Sequence, residues 1–169
     1  MKEVIVKDSQ LRLAAEQGAE AFLQCILQRI KETAGGELNE SALKTLSADQ
    51  ITLWAYDILR EELMEGGFVQ LIHNGWADFF FNNPFALVMK RWGLRDLSKI
   101  MYDAAKPYKK YGDEIKQDCS DEDFMALYEK YPDFEEFDDA FVDKEETFSQ
   151  TIAEYVDNNI SSFCTIINE

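Results

Sequence analysis

Between Glu65 and Trp92 the chain reads EGGFVQLIHNGWADFFFNNPFALVMKRW, which places Gly-Gly, Asn-Gly and Asn-Asn-Pro within nineteen residues, 66–84. Gly and Asn tolerate positive φ, and each of these groups punctuates a chain. No single long element survives such a run, so it must fold as short pieces joined by sharp reversals. Six aromatics between Phe68 and Phe85 say that the pieces are buried. Buried backbone polar groups need partners, and Gln70, His73, Asn74, Asn82 and Asn83 are suited to supply them. The stretch reads as a structural hub built on Gly66, Gly67, Phe68, Gln70, His73, Asn74, Gly75, Asn83 and Pro84, against which longer helices pack.

Helical periodicity organises the rest. From Ser9, small or apolar residues recur at Leu11, Ala15, Gly18, Phe22, Cys25, Ile26 and Ile30, the stripe of one helix. Gly35-Gly36 should end it, with Lys31 in its last turns. Residues 1–8 alternate weakly and read as a frayed tail. One helical turn is expected around Ser41–Leu46. The next helix can be capped by Ser47 or Asp49, and with Ser47 as the cap Gln50 sits at the capping-box position. Its apolar face is Ile51, Trp54, Ala55, Ile58, Leu59 and Leu63, and Gly66-Gly67 should stop it.

Inside the hub, Phe68–His73 and Trp76–Phe81 are short helical pieces. Asn82 or Asn83 should cap a helix that starts at Pro84 and stops near Gly93. Arg95–Tyr111 follows, with Pro107 expected to end or kink it. Ser120 precedes an acidic first turn, with Phe124, Leu127 and Tyr128 on the buried side and Tyr131-Pro132 at the close. Phe134, Phe137, Phe141 and Val142 then share one face of an acidic helix. Phe148, Ile152, Tyr155, Val156, Ile160, Phe163 and Ile167 share one side of a terminal helix. No strand pair and no internal repeat is legible. The expected class is all-α: a compact single-domain bundle of about seven to nine helices, residues 1–42 a helical extension and 43–169 the core.

A chain of 169 residues, 46% apolar, can bury such a core. No apolar run approaches the ~18 residues of a membrane span. The segment MKEVIVKDSQ lacks the features of a signal peptide, so the expected location is the cytoplasm. Cys25, Cys119 and Cys164 are far apart and form no Cys-x-x-Cys, which suggests neither a disulfide framework nor a thiolate zinc site.

The net charge of −16 is unevenly held. Residues 1–111 carry 14 basic and 15 acidic side chains, whereas residues 112–157 carry 3 and 17. Such a field repels nucleic acid and anionic membrane and attracts basic partners. Within the acidic third, Glu135, Asp139, Asp143 and Glu146 repeat at spacings of four, four and three. Four residues of helix advance about 6 Å, against about 3.4 Å per phosphate along one DNA strand. A carboxylate row on a helix is thus an imperfect copy of a phosphate row. The candidate partner-binding surface comprises Asp133, Glu135, Glu136, Asp138, Asp139, Asp143, Glu145 and Glu146. The plain alternative is a solvated face that keeps the protein soluble.

Other chemistry finds little support. His73 is the only histidine, with no nucleophile motif and no second histidine for a metal pair; a hydrogen-bonded structural role is expected. No Asp-x-Asp-x-Asn-Gly calcium pattern exists. No metal, cofactor or catalytic residue is expected. Gly66-Gly67 lacks the Gly-Lys-Ser/Thr of a phosphate loop. Trp76, Phe79, Phe80 and Phe81 read as core, with a homodimer interface as the alternative.

Gly66-Gly67-Phe68, then Gln70, Asn74-Gly75, Phe80-Phe81 and Asn83, ahead of an acidic and aromatic C-terminal third, resembles the DNA mimic protein 19 family of bacterial cytoplasmic proteins. The likeness runs from about Leu43 onward. Leu71-Ile72-His73 before the Asn-Gly turn departs from the commoner pattern. The resemblance implies an all-helical, often dimeric protein whose carboxylates stand in for DNA phosphates before a transcription factor. The leading expectation is therefore a non-enzymatic module that binds a basic, DNA-binding protein. The alternatives are a small-ligand or enzymatic site around Gln70, His73, Asn74 and Asn82, and an accessory helical domain.

Overall fold

The computed structural model describes residues 1–169, which form nine α-helices and one two-stranded sheet. The all-α class stands. Contacts divide the chain into two units, residues 1–57 with 147–169, and residues 58–146.

In the first unit, β1 (Ile5–Lys7) lies parallel to β2 (Thr165–Ile167), with Val6 opposite Ile166. This corrects both the frayed tail and the absence of a strand pair. Val4 and Val6 are buried, and Thr165 N–H donates to the Val4 carbonyl. The pairing joins positions some 160 residues apart, beyond the reach of local periodicity. Next come α1 (Asp8–Glu16) and α2 (Ala19–Ala34), where one helix was expected. Gly18 separates them at φ 115°, a conformation that ends a helix although its position suits the stripe.

Gly35 closes α2 in the left-handed region, as expected. A short α3 (Glu40–Thr45) follows, capped by the Asn39 side chain. Ser47 and Gln50 form the expected reciprocal cap at the start of α4 (Ala48–His73). Gln50 Nε2 also donates to the Phe163 carbonyl at 2.8 Å. The buried Asp57 accepts from Gln24 and Lys31, and Tyr56 Oη and Ser149 Oγ share a hydrogen bond.

In the second unit, α4 does not stop at Gly66-Gly67. It kinks at Gly67 (φ 70°, ψ −167°) and resumes through His73, and Gly75 then turns the chain at φ 86°. Two short helices follow, α5 (Ala77–Asn82) and α6 (Phe85–Arg91). No asparagine caps α6; Asn83 Nδ2 instead donates back to the Phe79 carbonyl. The hub aromatics are buried or half-buried, as core packing requires.

The next helix, α7 (Arg95–Ile115), continues through Pro107. A proline removes one N–H and crowds one turn, but Ile100, Met101, Ala104, Tyr108 and Ile115 are buried on both sides of it. Ser120 Oγ caps α8 (Asp121–Lys130), which is only half-buried at Phe124, Leu127 and Tyr128. After a 3-10 turn at Pro132–Phe134, α9 runs Glu135–Asn158. The terminal helix thus ends at Asn158, and Ile160–Ile167 form a 3-10 turn and β2. No helix is long and apolar enough to cross a membrane.

Candidate partner-binding surface

The eight acids of the predicted surface fall into three groups. Glu135, Asp139, Asp143 and Glu146 are exposed. At ~100° per residue they share about an 80° arc of α9, opposite the buried Phe141. Val142 was expected in the core, yet it is 50% exposed among these carboxylates. Its position lies closer to the acidic arc than to Phe141, and the larger rings of Phe134 and Phe141 fill the interior instead.

Asp133 and Glu136 are also exposed but line a different feature, an open groove of about 900 Å³. Its walls carry Lys99, Lys106, Lys110 and Lys144 over a floor of Ile100, Pro107, Phe137 and Ala140. Lys144 pairs with Asp96 at 2.9 Å and Lys99 with Asp103 at 2.6 Å. Hydrogen bonding to Lys99 draws the Asp103 carboxyl below its ordinary pKa. This groove is charge-balanced, unlike the exposed row.

Asp138 and Glu145 turn inward. Asp138 Oδ1 accepts the Phe68 backbone N–H at 2.8 Å. Burial pushes its carboxyl up to about 7 against the opposing effect of that bond, and Asp139 and Glu135 push it further. Glu145 is 8% exposed and accepts from Arg60 Nε at 2.5 Å. Both belong to the candidate partner-binding surface, yet each is engaged with a donor on α4. A helical face of four-residue repeats does not reveal which acids flank the apolar stripe closely enough to be drawn under it.

The hub explains its own composition. A Cβ on Gly67 would stand 2.5 Å from the Asp138 carboxylate, and its φ of +70° already disfavours a side chain. The Gly66 carbonyl accepts from Tyr128 Oη at 2.8 Å. Gln70 and Asn74 donate to Glu62. His73 Nδ1–H donates to the Ile115 carbonyl at 2.9 Å, and its ring packs 4.7 Å from Phe124. Asn82 ends α5 and is exposed. A shallow cavity of about 490 Å³ beside the hub is lined by Gln70, Met125, Tyr128 and Asp138. The polar groups that a ligand would need there already serve the fold. Sequence reading missed Glu62 and Tyr128 as hub partners and Arg60 as the partner of Glu145; each sits in a helix with only its local spacing visible.

Two comparisons bear on this arrangement. The family model described as DMP19-like protein matches residues 44–159, which contain the hub and the whole acidic row. Over 131 residues the chain is 33% identical to the DNA mimic protein DMP19 of Neisseria meningitidis serogroup B (strain ATCC BAA-335 / MC58), covering 77% of this chain and 79% of that relative.

Proposed function

The chain belongs to the DMP19-like family, and on that footing we propose that it acts without catalysis, by offering the exposed carboxylates of α9 to the basic surface of a DNA-binding protein. The observation that carries this reading is the row Glu135, Asp139, Asp143 and Glu146, exposed along one face of a single helix. Carboxylates so placed attract Lys and Arg side chains and hydrogen-bond them as phosphate oxygens do. The partner is a cytoplasmic transcription factor whose DNA-contacting cations meet this row. The relative's description as a DNA mimic supports the same reading.

The test is capture from a lysate of the source organism at low salt, followed by release as salt rises. The captured protein should be displaced from its own DNA by the wild-type chain. It should not be displaced by the variant Glu135→Lys, Asp139→Lys, Asp143→Lys, Glu146→Lys with its helical signal intact. Equal displacement by both proteins would refute mimicry through this face.

A further inference from the structure

Two inward carboxylates on α9 are bound to two points on α4. Asp138 meets the Phe68 N–H, and Glu145 meets the Arg60 guanidinium. The pairs run in opposite directions along the two helices. Seven residues, about 10.5 Å of helix axis, separate the two carboxylates. We propose that Asp138 and Glu145 are positioning residues: together they set the roll and register of α9, and so decide which carboxylates form the exposed row. The proposal rests on the mimicry reading for its functional meaning but not for its geometry.

The apolar stripe of α9 cannot fix the roll alone. Burial of Phe141 and Phe148 is favourable but non-directional. A hydrogen bond weakens steeply as its angle departs from linear. Two such bonds at separate heights define both rotation and translation. The margin for error is small. A roll of roughly 30° at a radius of about 6 Å carries a carboxylate about 3 Å, a whole hydrogen-bond length.

The kink at Gly67 provides the socket. At the kink the Phe68 N–H donates to Asp138 Oδ1 at 2.8 Å. With no Cβ at Gly67, the Asp138 carboxylate comes within reach of that N–H. The Gly-Gly-Phe signature and the acidic helix, seventy residues apart, are therefore two halves of one fitting.

Carbodiimide footprinting of the full chain, read by mass spectrometry, tests this without a partner. In the wild type, Glu135, Asp139, Asp143 and Glu146 should be modified, and Asp138 and Glu145 protected. In Asp138→Ala, protection of Glu145 should fall, and with it the contrast between that inward carboxylate and the four outward ones. Glu145→Ala should do the same to Asp138. Asp138→Asn and Glu145→Gln keep an acceptor and should restore the wild-type pattern. A role limited to stability would lower the melting temperature without changing which carboxylates react. An unchanged footprint in folded alanine variants overturns the proposal. Should either alanine variant lose its helical signal, Arg60→Met is read in its place, with the same two outcomes. Failure of the displacement assay leaves the footprint intact, so the two readings fail separately.

Discussion

The Phe68 N–H and the Asp138 Oδ1 stand 2.8 Å apart across seventy residues of chain. The bond joins the break in α4 to the inward side of α9. It makes a glycine at 67 a steric requirement, since a Cβ there would lie 2.5 Å from the same carboxylate.

Gly67→Ala should therefore destabilise the protein by about 3 kcal/mol, combining a glycine-only backbone conformation with a clash. Urea unfolding followed by helical signal measures it. A loss no larger than that of an exposed helical substitution would show that the kink relaxes at little cost.

The Asp138 carboxyl, held up to about 7 by burial, gives stability a pH component of known sign. An unfolded Asp titrates near ~3.9, so the folded chain holds this proton more tightly. Its contribution is full below about 4 and is lost as pH rises through about 7. Comparing urea midpoints of the wild type and Asp138→Asn across that window isolates it. The wild type should lose stability relative to the variant as pH rises.

Arg60→Met removes the guanidinium that faces Glu145, a residue only 8% exposed in the wild type. Breaking one side of such a pair is expected to cost about 3 kcal/mol. Replacing both partners with apolar residues, Arg60→Met with Glu145→Leu, should recover most of it. The double variant measured against each single one checks the coupling.

His73→Ala should cost about 1–2 kcal/mol through the lost bond to the Ile115 carbonyl. His73→Asn restores a donor near the same place and should recover part. Neither change should alter capture of a basic partner, because His73 lies outside the acidic row.

Ser47→Ala removes the acceptor of the Gln50 N–H at the start of α4. Loss of such a cap is worth about 1 kcal/mol, readable as a shift in urea midpoint.

The helices, most of their ends and the hub's turns were legible because caps, breakers and 3.6-residue periodicity act within a few residues. Ser47, Gly35, Gly75 and Ser120 do what their neighbours in sequence imply. Gly18 did not, since a stripe counts side chains and is blind to a backbone at φ 115°. Pro107 did not either, because packing of α7 outweighed its local effect.

What the sequence determined by itself was the helical class, the family likeness and the concentration of acid in one third of the chain. Only the tertiary structure decided that β1 pairs with β2 and that Gly66-Gly67 kinks α4 without ending it. It alone divided eight acids into an outward row, a lysine-lined groove and two inward clamps. The reason is distance: periodicity is set within a few residues, whereas the donors that draw Asp138 and Glu145 inward lie seventy and eighty-five residues away.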